Sequence, residues 1–114
     1  MTIGEDRVRT MRPIRSYKVA VSGYGEVLYS ARSPEKARYR AYQDFCSVFE
    51  KSFRDFLAIS RVRRVEDPPG VGQRILVAGL PATRVHGYGQ YVHFMRDDSD
   101  VVLLSHPADA SVPA

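Results

Sequence analysis

Three histidines, one cysteine and a cluster of aspartates are the residues of this chain with the chemistry to hold a metal or attack a substrate. If Gly89-Gln90 makes a two-residue turn, His86 and His93 face each other on neighbouring strands, near enough to share a metal ion. A turn at Tyr88-Gly89 shifts the register and separates them. No third ligand follows at a usable spacing, because His106 precedes a proline at a strand end and Cys46 falls in a helical pattern. The expectation is therefore no metal and no cofactor. Cys46 stands among Phe45, Val48 and Phe49 without a nearby histidine to hold its thiolate, and it reads as a small buried hydrophobe. Asp97, Asp98 and Asp100 have the chemistry for acid-base work or a hard cation. They lack the glycine and glutamate of a calcium loop and read as a solvated turn. Gly23-Tyr24-Gly25 and Gly87-Tyr88-Gly89 do not lead from a strand into a helix start, so no nucleotide cradle is indicated. Catalytic residues are expected to be absent, and the protein is not expected to be an enzyme.

Arginine and tyrosine carry the stronger signal. Arg32, Lys36, Arg38 and Arg40 lie in or just before a helical stretch, Arg61, Arg63, Arg64 and Arg74 flank the middle of the chain, and Tyr24, Tyr39, Tyr88 and Tyr91 are candidates for exposure. Planar guanidinium groups and stacking rings suit phosphate backbones and unstacked bases. The same residue types also anchor protein interfaces. The residues expected to bind a nucleic acid or another partner are Lys36, Arg40, Arg61, Arg63, Arg64, Arg74, Tyr24, Tyr88 and Tyr91.

The elements that must position these residues follow from periodicity and punctuation. Residues 1–13 carry Arg7, Arg9 and Arg12 without period and read as a flexible basic arm. Tyr17, Val19 and Val21 alternate with smaller or polar residues, and Ser22-Gly23-Tyr24-Gly25 turns the chain into a second strand, so residues 14–30 read as a hairpin. Tyr24 falls at its tip, as a contact residue or as a lid over the core edge. Ser33-Pro34-Glu35 opens a helix with a side-chain cap, a proline in the first turn and a carboxylate at the positive end of the dipole. Ala37, Ala41, Phe45, Val48 and Phe49 then share one stripe. Ser52 with Asp55 signals a second short helix, and one bent helix over residues 34–59 is the competing reading. Ser60 to Glu66 reads as a strand, either bulged at Val62 and Val65 or an edge strand defended by arginines. Asp67-Pro68-Pro69-Gly70-Val71-Gly72 ends the first unit, leaving residues 68–72 as a linker.

Beyond the linker, residues 73–107 read as four short antiparallel strands, with Ile75 and Val77, Thr83 and Val85, and Val92 and Phe94 at period two. Ala78-Gly79, Tyr88-Gly89-Gln90 and Asp97-Asp98-Ser99 supply the turns. So small a sheet would have to curl strongly to cover its core. Residues 108–114 read as a loose tail. The fold class expected is α+β: a ββα(α)β unit over residues 14–67 joined to a small curled β unit.

Composition bounds what remains. With 114 residues, 44% hydrophobic and 26% charged, the chain has the make-up of a globular domain or two subdomains. Its longest uncharged apolar run, Val101 to Leu104, is too short to span a bilayer, and Met1 to Arg15 has no apolar segment of the kind a secretion signal needs. A lone cysteine forms no internal disulfide, which points to a reducing cytoplasm. A net charge of +4 favours acidic partners.

The segment 72–107, with Gly72-Gln-Arg-Ile-Leu-Val-Ala-Gly-Leu-Pro-Ala, Arg84-Val-His-Gly-Tyr-Gly-Gln-Tyr-Val-His-Phe and Asp97-Asp98-Ser99-Asp100-Val-Val, resembles SH3-like β-barrel modules of the KOW type. Such modules bind nucleic acids or proteins. The whole layout, a small α/β unit fused to a small barrel in an arginine-rich chain, is similar to proteins of bacteriophages and prophages, including anti-CRISPRs that act by binding and blocking. What the resemblance implies is a non-enzymatic binder of nucleic acid, or else an inhibitor or adaptor acting on a nucleic-acid-processing protein complex in a host cytoplasm. No membrane partner is expected. A homodimer could form through the Arg61–Arg64 strand or an open barrel edge.

Overall fold

The computed structural model describes residues 11–113, so most of the expected basic arm lies outside the described residues. Among the described residues the chain is α+β, with two helices and two antiparallel sheets. Strands β1 (Arg15–Val21) and β2 (Gly25–Ala31) form the expected hairpin, followed by helix α1 (Pro34–Cys46), helix α2 (Phe53–Ile59) and strand β3 (Ser60–Val65). The first sheet has the order β2-β1-β3, which leaves β3 at an edge. Its pairing with β1 runs without interruption from Ser16↔Val65 to Val21↔Ser60, so there is no bulge. Val62 and Val65 are three apart because they face opposite sides: Val62 lies opposite Val19 and packs against the core, whereas Val65 lies opposite Ser16 on the other face.

The helices begin where their side chains satisfy the free N–H groups of the first turn. Lys36 N donates to Ser33 Oγ at 3.1 Å, and Asp55 N donates to Ser52 Oγ at 3.1 Å. Two helices form rather than one. Helix α1 stops at Cys46, earlier than the apolar stripe suggested, so Val48 is 72% exposed and Phe49 lies in the connecting turn. Cys46 is exposed, not buried, because it occupies the last position of that helix, where the chain turns away from the core. One face of the first sheet packs on α1 and α2 through Tyr17, Val19, Tyr29, Ala31, Ala37, Ala41 and Phe56. Phe56 is fully buried, and its replacement by alanine would cost about 3–5 kcal/mol. Aromatic rings extend this core outward: Tyr42 lies 5.5 Å and Phe45 5.5 Å from Phe56, and Tyr24 closes edge-on over Phe45 at 5.2 Å. Tyr24 is thus a lid on the core edge.

Strands β4 (Arg74–Val77), β5 (Leu80–Arg84), β6 (Val92–Arg96) and β7 (Leu103–Ser105) form the meander expected after the linker. A fifth strand, β8 (Ala110–Ser111), corrects the reading of residues 108–114 as a loose tail. It follows a short 3-10 turn at Pro107–Asp109 and pairs with β4, giving the order β7-β6-β5-β4-β8. The sheet is a curled half-barrel around Ile75, Val77, Ala82 and Phe94.

The two apolar clusters are separate, and polar contacts join them. Ser16 Oγ donates to Asp67 Oδ1 at 2.6 Å, His86 N donates to Ser30 Oγ at 2.9 Å, and the Arg32 guanidinium reaches from the end of β2 into the β6–β7 turn. No helix among the described residues is long and apolar enough to cross a membrane.

Candidate nucleic-acid interface

The first sheet has one face covered by helices and one largely open. On the open face β1 contributes Ser16, Lys18 and Ala20, β2 contributes Glu26, Leu28 and Ser30, and β3 contributes Arg61, Arg63 and Val65, as the period-two alternation and the register require. Ser16 and Ser30 are buried under the second unit, Lys18, Ala20, Leu28 and Val65 are half-buried, and Glu26, Arg61 and Arg63 are exposed. Lys18 lies directly opposite Arg63, and Arg61 lies opposite Ala20. Among the described residues Glu26 is the one strand carboxylate on this face, and Asp67 meets Ser16 at its covered end. It takes hydrogen bonds from Arg63 Nε at 3.2 Å and Nη2 at 3.4 Å, and that contact holds its carboxyl below the usual range. Neither Lys18 nor Arg61 has a hydrogen bond or a close ion pair from its side chain among the described residues, although the Lys18 charge also helps to hold the Glu26 carboxyl down. Two cations placed directly across a ladder destabilise it by about 0.2–1 kcal/mol. A single glutamate shared with Arg63 offsets only part of that repulsion.

The structure divides the expected binding residues. Arg61 and Arg63 converge on the open face, while Arg64, opposite Tyr17, points to the helix side of the same edge strand and stays exposed. Lys36 is drawn into an ion pair with Asp100, Nζ to Oδ2 at 2.7 Å. Arg74 grips Asp97 with two nearly parallel bonds of 2.6 and 3.0 Å and also donates to Thr83 Oγ1 at 3.0 Å. Its partner Asp97 is accordingly held below the ordinary carboxylate range. Arg40 is half-buried, donating to the Ser30 carbonyl and stacking 5.3 Å over the Tyr29 ring. Burial lowers its pKa, and its contacts are those of a structural brace. Tyr29 completes that brace: its hydroxyl donates to Asp44 Oδ2 at 2.6 Å, and its pKa is raised by burial and by this bond.

Tyr88 and Tyr91 lie in the loop joining β5 to β6, 75% and 54% exposed. The last ladder pair is Arg84↔Phe94, and beyond it Val85 N donates to His93 O at 2.9 Å, so Val85 and not His86 stands opposite His93. The register that would pair the two imidazoles is not adopted. The His93 ring instead packs on Gly87 so closely that a Cβ there would fall 2.1 Å from its Cγ. His86 sits edge-on to Tyr88 at 4.9 Å with its Nε2 buried and without a hydrogen-bond partner among the described residues, and burial followed by the nearby His93 pushes its pKa down. No three His, Cys, Asp or Glu side chains among the described residues gather as a metal site.

Sequence reasoning passed over Lys18, whose placement opposite Arg63 depends on a pairing between strands some forty residues apart. It also grouped Arg32 with the surface cations, although that side chain is buried. Compared with known proteins, the chain matches no family model, no curated protein and no solved structure.

Proposed function

We propose that this protein is a non-enzymatic nucleic-acid-binding protein of the cytoplasm that grips phosphates with Lys18, Arg61 and Arg63 on the open face of its first sheet. The observation that carries this reading is the direct cross-strand placement of Lys18 against Arg63, with Arg61 beside them and one carboxylate for three cations. An arrangement that costs the free fold stability is relieved when an anion lies across it. Arg64, exposed on the same edge strand, extends the positive charge around the edge. The curled second sheet supports the likeness of residues 72–107 to SH3-like modules and serves as a scaffold for the 86–91 loop.

The test is fluorescence anisotropy with a labelled oligonucleotide over a salt series. Each phosphate neutralised adds about 0.7–0.9 to the downward slope of log affinity against log salt. Replacing Lys18, Arg61 and Arg63 together by glutamate abolishes binding. Binding that is unchanged in that triple variant, or that ignores salt, overturns the proposal.

A second reading, an inhibitor or adaptor that binds a protein complex, is favoured by the exposed apolar side chains of Val48, Phe49, Phe53 and Leu57 along the α1–α2 connection and α2. A complex captured from bacterial lysate that survives nuclease treatment and is lost on replacing Val48 and Phe53 by serine would support it over the first. A phage or prophage origin, proposed from the sequence layout alone, accords with either reading.

A further inference from the structure

We infer that the nucleic acid is single-stranded, with its bases stacked on Tyr88 and Tyr91 while its backbone crosses the cationic face; this rests on the phosphate-binding reading above. The loop carrying both tyrosines is fastened to the first sheet at one point, where His86 N donates to Ser30 Oγ on β2. Ser30 belongs to the open face, with Leu28 next along it, and Leu28 lies opposite Lys18. Cations therefore occupy the central strand and the β3 edge, and the aromatic loop borders the β2 edge. Strands in a sheet are about 4.8 Å apart and successive residues about 3.3 Å, so Arg63 lies about 10 Å across and about 7 Å along the sheet from Ser30, a span a short stretch of extended single strand bridges.

The loop holds the Tyr88 ring in place. Gly87 admits the His93 ring against the backbone, and the His86 ring meets Tyr88 edge-on. Tyr88 and Tyr91 nevertheless direct most of their surface to solvent, where neither serves the core. An aromatic face fixed in that way offers stacking to any base, without regard to sequence. Duplex DNA keeps its bases within its own stack and presents only phosphates to such a surface, so it would leave these rings unused.

The experiment compares a labelled single strand of mixed sequence with the same sequence as a duplex, by anisotropy, for the parent chain and for Tyr88→Ala, Tyr91→Ala and the corresponding phenylalanine variants. The single strand is expected to bind more tightly than the duplex, each alanine variant to weaken it by about tenfold with the salt slope unchanged, and the phenylalanine variants to bind as the parent does. Duplex binding at least as tight, or alanine variants that bind the single strand like the parent, overturns the inference while leaving the phosphate contacts standing. Salt-independent binding, or none to either oligonucleotide, overturns the reading beneath it.

Discussion

Arg32 donates to the backbone carbonyl of Ser99 from both Nε, at 3.3 Å, and Nη2, at 2.9 Å, joining the end of β2 to the turn after β6 across sixty-seven residues of chain. The same guanidinium donates to the carbonyls of Arg12 at 2.8 Å and Arg96 at 3.0 Å, and its Nε lies 3.2 Å from Asp100 Oδ1. Only 8% of the residue is exposed. Removing it takes a buried donor from several carbonyls at the junction of the two units and leaves Asp100 with Lys36 alone. Arg32→Ala should therefore lower stability by about 3 kcal/mol in urea unfolding, and Arg32→Lys should recover only part of this, because an ammonium cannot span the same fork of acceptors. A loss smaller than about 0.5 kcal/mol would mean that the two units are held together by something else.

Ala78 is the one non-glycine residue with positive φ among the described residues, at 55°, and with Gly79 at 80° it makes the two-residue turn between β4 and β5. Both central positions of such a turn favour asparagine or glycine, since a Cβ in the left-handed region costs about 1 kcal/mol. Ala78→Asn should raise the thermal midpoint by several degrees, as a gain of about 0.5–1 kcal/mol in a chain of this size would. A lower midpoint would show that the alanine methyl makes a contact that outweighs the backbone strain.

What could be read from the sequence was local. Ser33-Pro34 and Ser52 with Asp55 announce helix starts through bonds that close within three residues, and both bonds form. Glycine spacing placed the β1–β2 and β4–β5 turns, and Pro68-Pro69 marked the boundary between the sheets. What could not be read was long-range. The burial of Arg32 depends on acceptors more than sixty residues away, and the face shared by Lys18 and Arg63 depends on the β1–β3 register. Strand β8 has two residues, too few for any period to register. Helix α1 ended early because apolar spacing continues through Val48 and Phe49 while the backbone turns at Ser47.

His86 should impose a pH dependence on stability. Burial, and then the neighbouring His93, hold its imidazole below the usual range, so the fold accommodates the neutral ring. The unfolded chain takes up the proton first. Stability is therefore complete above the unfolded imidazole value of about 6.5 and declines as pH falls from there through the lower folded value. Urea midpoints measured at about pH 7.5, 6.5 and 5.5 should fall in that order, and His86→Gln, which has no proton to gain, should flatten the decline. A variant as pH-dependent as the parent would place the titrating group elsewhere.

The open face makes opposite demands on stability and binding, and single substitutions can separate them. Lys18→Met removes one of two cations set directly across the β1–β3 ladder, so it should stabilise the free protein by about 0.2–1 kcal/mol while weakening oligonucleotide binding and reducing the salt slope by about one phosphate. Glu26→Gln does the reverse. It withdraws the carboxylate that Arg63 holds, lowering stability at low salt, and it frees Arg63 for phosphate, so binding should tighten and the salt slope steepen. The Glu26 carboxyl is held below its ordinary value by Arg63, so its contribution is present at neutral pH and lost as pH falls through that lowered value; the glutamine variant should lack this acid-limb loss. Unfolding midpoints and anisotropy on the two variants must therefore move in opposite directions within each variant. If Lys18→Met weakened both, Lys18 would be supporting the sheet, and the case for a face held ready for an anion would fail.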